Sequence, residues 1–187
     1  FFTWVTVIVM VPILTMRGFS EERRTGSLEM LMTAPVREGS IVLAKFLGTY
    51  FFYLLAWAPF FVFTISFRAF GASEYDYRPV LSFFLAVAST GAGFVAMGLF
   101  VSSLTSNQIV SAVVTFAAML MLIGVYFMSS MEWAVPFRDL FDYVSFVELY
   151  GRAASGLLPL RSFAFHLSFA AFFLYLTYLN LTARKWK

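Results

Sequence analysis

Between positions 17 and 39 the chain places eight charged side chains: Arg17, Glu21, Glu22, Arg23, Arg24, Glu29, Arg37 and Glu38. Long apolar runs flank this segment on both sides. The mixture of signs defines the chemistry. A helix that merely rests on lipid is usually rich in lysine and arginine. Four carboxylates among eight charges suit a protein partner, because complementary charge fixes register and partner choice. Ser20 is a good N-cap, and Glu21 and Glu22 in the first turn favour the helix dipole, so a short helix is expected there. Gly26 and Ser27 interrupt it. Leu28–Thr33 has room for another turn or two before Pro35. Phe19, Leu28, Met30, Leu31 and Met32 are expected against the membrane interface. The plainer alternative is an ordinary interfacial helix.

Other reactive groups are few. The chain has no cysteine and one histidine, His166. A disulfide, a thiolate metal site and a cysteine nucleophile are excluded, as is a haem held by two histidines of this chain. A net charge of +3 does not suit nucleic-acid binding. No Gly-x-x-x-x-Gly-Lys-Ser/Thr loop exists to cradle a nucleotide's phosphates. Lys45, near one end of an apolar run, is expected to snorkel to the headgroups. His166 is expected to be interfacial or internally bonded. Trp4, Trp57, Trp133 and Trp186 read as belt anchors or packing residues.

These groups must be positioned by membrane helices. The composition is 61% hydrophobic and 12% charged, against about 45–50% and about 25% in soluble domains. A crossing needs about 20 apolar residues. Residues 41–67, 80–104, 109–128 and 162–181 qualify, and 1–16 reads as part of a fifth span. The backbone must bond within itself in lipid, so helices are required. The row Ala88, Ala92 and Ala96, with Ser89 and Gly93 beside it, favours close helix packing. The 41–67, 80–104 and 109–128 spans contain no Asp, Glu, His or Arg, so an ion-driven transporter or a membrane enzyme is not favoured.

Alternating the loops puts eight basic residues on one side (Arg17, Arg23, Arg24, Arg37, Lys45, Arg184, Lys185, Lys187) and five on the other (Arg68, Arg78, Arg138, Arg152, Arg161). The positive-inside rule makes the first side cytoplasmic. Phe1 then faces outward, and one upstream span, six in all, is expected in the intact protein. The outer segment 129–161 carries an apolar stripe of Phe137, Leu140, Phe141, Val144 and Val147 at helical spacing. Arg138 with Asp142, and Glu148 with Arg152, can pair at four residues' distance. Gly151 and Gly156 suit breaks. An amphipathic helix on the outer leaflet accounts for this pattern.

Pro12-Ile-Leu-Thr-Met-Arg17, Phe19-Ser-Glu-Glu-Arg-Arg-Thr-Gly-Ser-Leu-Glu29, Thr33-Ala-Pro-Val36 and Ile41-Val-Leu-Ala-Lys-Phe-Leu-Gly48 resemble the permease subunits of ABC-2 type transporters. Gly98-Leu-Phe-Val-Ser-Ser-Leu-Thr-Ser-Asn-Gln-Ile-Val110 and Arg152-Ala-Ala-Ser-Gly156 add to the likeness, which is closest to the gliding-motility and nitrous oxide reductase maturation subgroup. The resemblance implies an all-α polytopic membrane protein with one type V exporter-like transmembrane domain over residues 1–187, lacking the family's first span. It implies a cytoplasmic coupling helix within residues 17–39. Arg17, Phe19, Glu21, Glu22, Arg23, Arg24, Gly26, Leu28 and Glu29 would engage a separate ATPase. Phe19, Glu22, Arg23 and Gly26 fit the spacing Phe-x-x-Glu-Arg-x-x-Gly of related exporters. It further implies a re-entrant outer gate including Phe137, Leu140, Phe141, Val144, Arg152 and Gly156.

The implied partners are an ABC-type ATPase on the cytoplasmic face, a second permease like or unlike this one, an outer-face auxiliary subunit, and the bilayer. ATP and Mg are expected on the ATPase, with no cofactor or metal on this chain and no catalysis by it. The implied location is the bacterial inner membrane, and the implied activity is ATP-driven transport, usually export, or mechanical transduction. The rival is a non-transporting scaffold that anchors an assembly through residues 17–39 and 129–161.

Overall fold

A computed structural model describes residues 2–28, 30, 36–69, 78–129, 152–153, 155–157 and 160–184. The main elements among them are all helical: α1 (Phe2–Thr15), α2 (Ser20–Thr25), α3 (Glu38–Ala69), α4 (Arg78–Leu104), α5 (Gln108–Ser129) and α6 (Leu160–Arg184). The expected all-α polytopic class is what the chain adopts. Four stretches are long and apolar enough to cross a membrane: Thr3–Thr25, Glu38–Thr64, Arg78–Leu104 and Ser162–Ala183. Within α5, Gln108–Gly124 is a shorter apolar stretch. Pro12 and Pro59 lie inside α1 and α3 without ending them, as membrane helices permit when neighbours cover the freed carbonyl.

The helices are not equivalent. In α4 the most apolar window is 78% buried, against 33% for Thr3–Thr25, 17% for Ser162–Ala183 and 11% for Glu38–Thr64. α4 is therefore the axis of the bundle, touching α1, α3, α5 and α6, with its most extensive packing on α6. Its small residues make this close approach feasible. A methyl group on Gly91 would lie 2.1 Å from the Tyr53 ring of α3, and one on Gly98 would lie 2.3 Å from Thr15 Oγ1 of α1. Ala92 and Ala96 pack on Ala170 of α6. Lipid is as apolar as leucine, so such contacts stabilise by close packing and bridging hydrogen bonds rather than by expelling water. Tyr50 and Tyr53 of α3 supply two of these bonds, donating to the α4 carbonyls of Ala88 (2.9 Å) and Val87 (3.1 Å).

At one end of α4, Ser82 Oγ donates to the carbonyls of Pro79 (3.0 Å) and Ala153 (2.6 Å). Ala153 is fully buried against Ala86. Gly156 follows with φ 80°, while Gly156 N–H donates to Ala153 O (3.0 Å) and Leu157 N–H to Arg152 O (3.0 Å). That pair of bonds around a left-handed glycine is a Schellman termination. The break expected at Gly156 is present. The stripe Phe137, Leu140, Phe141, Val144 and Val147, and Gly151, lie outside the described residues.

At the opposite end, Asn107 caps α5, its Oδ1 accepting from the amides of Ile109 (2.9 Å) and Val110 (3.4 Å). Trp57 is buried in the core and Trp4 packs at its edge, so both are packing residues. Trp133 and Trp186 lie outside the described residues. His166 is buried, with Nδ1 against the Ser162 carbonyl one turn earlier. This is an internally bonded histidine.

Candidate functional site

The charged segment folds as an elbow between α1 and α3. After Thr15 the chain turns, with Gly18 N–H bonding the Thr15 carbonyl at 2.9 Å. A methyl group at Gly18 would lie 2.4 Å from the tip of Leu99 of α4, so a side chain there would have to displace Leu99. The backbone can thus press directly onto α4, and the next residue, Phe19, becomes fully buried. α2 then runs for six residues and stops at Gly26, which takes φ 73°. That left-handed conformation suits glycine, and the break expected at Gly26 is present.

The expected role of Ser20 is corrected. It is the first residue of α2 rather than its cap, and the preceding Phe19 offers no side-chain cap. Ser20 is buried and its hydroxyl bonds back to the Met16 carbonyl. The cap comes instead from α4. Ser102 Oγ accepts from the amides of Phe19 (3.0 Å) and Ser20 (3.1 Å) and donates to the Met16 carbonyl (3.2 Å). Helix amides without an intrahelical partner need such an acceptor when buried.

Charge positions the rest. Glu22 forms an ion pair with Lys45 Nζ of α3, the two side chains being 25% and 31% exposed. Lys45 also sits 5.9 Å from the centre of the Phe19 ring. The expectation that Lys45 snorkels to headgroups is replaced, since a carboxylate near the mouth of the bundle offers its ammonium a closer partner. Arg23 Nη1 donates to the carbonyl of Ser103 on α4 at 3.2 Å. The same carbonyl accepts Nδ2 of Asn180 from α6 at 3.0 Å, and that nitrogen also meets Ser103 Oγ at 2.9 Å. One end of α4 therefore gathers groups from α1, α2, α3 and α6.

Eight of the nine sequence candidates separate into three groups. Phe19 and Leu28 are buried in the core cluster, so they anchor the elbow inside the protein and do not lie against lipid as expected. Glu22 and Arg23 tether it to α3 and α4, and Glu21 is half-buried beside them. Arg17, Arg24 and Gly26 face outward, together with Thr25, Ser27 and Met30, the last 76% exposed. Glu29 lies outside the described residues, as do Leu31 and Met32. Of the six outer candidates, Phe137, Leu140, Phe141 and Val144 lie outside the described residues. Arg152 is exposed, and Gly156 makes the turn near Pro79.

Local spacing does not point to Gly18, Ser102, Ser103 or Asn180, and it points Ser20 to capping and Lys45 to lipid. Their signal was faint but present. Ser102 and Ser103 form a polar pair at the end of an otherwise apolar run, and Asn180 is an amide within the last span. Polar groups so placed bond across helices. The described residues hold no cluster of three or more His, Asp or Glu suited to a metal.

Neither a curated protein nor a solved structure matches this chain. A family model described as ABC-2 family transporter protein matches residues 1–179.

Proposed function

This chain belongs to the ABC-2 transporter family, and from that membership we propose that it is a permease subunit driven by ATP hydrolysis in a separate protein that grips the elbow at residues 17–28. Its family and its long apolar helices make it a multi-pass membrane component of transport and not itself a catalyst. The single observation that carries the finer reading is the elbow's division into an anchored inner face and a charged outer one. Phe19 and Leu28 fix it in the core, while Arg17 and Arg24 remain at the surface. A handle must be rigid to transmit a push and exposed to be grasped. Both conditions are met within a dozen residues.

On this reading ATP and Mg reside on the motor subunit, bound to neither side chain nor backbone of this chain. The positive-inside count supports a cytoplasmic elbow, and the proposed location is a bacterial inner membrane. A second permease completes the pathway, export is the direction, and an outer-face subunit would meet the end of α4 against which the turn of Arg152 and Gly156 packs. The narrower proposal, membership of the gliding-motility and nitrous oxide reductase maturation subgroup, rests on the sequence likeness at residues 12–48, 98–110 and 152–156, and it would allow mechanical transduction in place of solute export.

The test is co-purification with a candidate ABC-type ATPase from the same organism, followed by hydrolysis assays in nanodiscs. Replacing Arg17 and Arg24 together by Ala is expected to weaken association at least tenfold, with most of the loss at low salt. Glu22→Ala or Arg23→Ala is expected to leave binding largely intact and to uncouple hydrolysis, because these two side chains face the bundle. Association unchanged in the Arg17/Arg24 variant, or elbow thiols labelled only from outside the cell, would overturn the assignment. Tight association with no change in hydrolysis rate in any variant would favour the scaffold.

A further inference from the structure

Building on that reading, we infer that Ser102 is the positioning residue that hands elbow motion to α4, and through α4 to the turn at 152–157 on the opposite face. The elbow is covalently continuous with α1 and leads toward α3, so a push on it would ordinarily tilt those two helices. The hydrogen bonds describe a different route. One hydroxyl on α4 holds three backbone groups of the elbow at 3.0, 3.1 and 3.2 Å. Side-chain packing alone would let the elbow slide across α4; a bonded backbone moves with it.

Three further observations direct the motion along α4. The contact is tight, since Gly18 leaves no gap against Leu99. The neighbouring Ser103 carbonyl joins Arg23 of the elbow to Asn180 of α6, so the elbow engages both members of the most extensively packed helix pair. At the far end, about 30 Å away at 1.5 Å per residue, the hydroxyl of Ser82 ties α4 to the carbonyl of Ala153 at 2.6 Å. α4 is thus bonded by a serine hydroxyl to backbone of another segment near each end. Between them its glycines are filled by Tyr53 and Thr15, which leaves little slack for bending. Helix–helix interfaces of this packed kind shift between discrete arrangements rather than deforming gradually.

The cysteine-free sequence makes the inference directly testable. Single nitroxide probes are placed at Thr25→Cys on the elbow or Leu157→Cys on the outer turn, both exposed, in the full permease with its ATPase in nanodiscs. In the parent protein ATP is expected to change both spectra. With Ser102→Ala the elbow probe should still respond, while the Leu157 probe should lose at least half of its response. Amide exchange at Phe19 and Ser20 should accelerate about tenfold or more, and Ser102→Thr, which keeps the hydroxyl, should restore both readouts. An undiminished Leu157 response in Ser102→Ala overturns the inference while leaving the elbow as the motor's handle. An elbow probe indifferent to ATP in the parent protein instead defeats the handle itself. If Ser102→Ala does not assemble, Ser82→Ala tests the same route from its other end. It should silence the Leu157 probe and spare the elbow probe, and a Leu157 probe that still responds fully there also overturns the inference.

Discussion

α3 and α4 read almost alike as sequence, yet one is the most exposed long helix of the bundle and the other its axis. Burial of their apolar windows is 11% and 78%. The difference lies in side-chain size and in where hydroxyls fall. α3 turns Leu43, Leu47, Phe51, Phe52, Leu55, Val62 and Phe63 outward, large residues suited to lipid or to another subunit. α4 buries Ser89, Thr90, Gly91, Ala92 and Gly93 in succession. Apolarity decides that a helix enters the membrane. Smallness decides that other helices gather round it.

The comparison breaks most visibly at Gly91. Gly91→Leu forces a side chain into the Tyr53 ring and should cost about 3 kcal/mol or more, as overpacking does. The expected outcome is loss of a monodisperse peak in detergent. Gly91→Ala should be milder and partly rescued by Tyr53→Ala, which vacates the space; failure of that rescue would show that the crowding lies elsewhere. Next in size is Ser82→Ala, which removes the donor that α4 gives the buried Ala153 carbonyl and leaves it Gly156 N–H alone. A loss of about 1–2 kcal/mol is expected, read as faster proteolysis near residues 155–157 with the elbow unaffected.

Smaller again is Glu22→Gln. The pair with Lys45 is partly exposed, so its contribution is limited to about 1 kcal/mol. A melting temperature lowered by a few degrees, with the difference shrinking in high salt, would agree with a screened ion pair. The smallest effect belongs to α3. Val62→Ala should change subunit stability by no more than about 0.5 kcal/mol, measured by thermal denaturation in nanodiscs. A large effect there would mean that this face is covered by a second subunit, and dilution would then reveal it.

The outline of the molecule was legible in its residues, and the workings of the elbow were not. The apolar helices, the break at Gly26, the turn at Gly156 and the packing role of Ala92 and Ala96 follow from local spacing, whereas the expected span 109–128 is matched only by the shorter apolar stretch Gln108–Gly124. Lys45 and Ser20 were misread for a common reason. Each has an ordinary local role, headgroup contact for one and capping for the other, and each is claimed by a distant partner or a different backbone path. The nearest signal for the missed cap was the Ser102–Ser103 pair, more than 80 residues from the amides it serves. Spacing rules reach about one helical turn, so nothing in the segment itself announces that contact.

By itself the sequence determined that this is a helical membrane protein with its charges concentrated in one elbow. The physical reason is that hydrocarbon offers backbone groups no partners, so long apolar runs must be helices and ionised groups must lie outside them. Only the tertiary structure decided which helix stands at the centre and which charges of the elbow point inward. Lipid and protein interior are nearly equivalent surroundings for an apolar side chain, so hydropathy does not tell them apart. Close fit and hydrogen-bond partners do, and both exist only once the helices have packed.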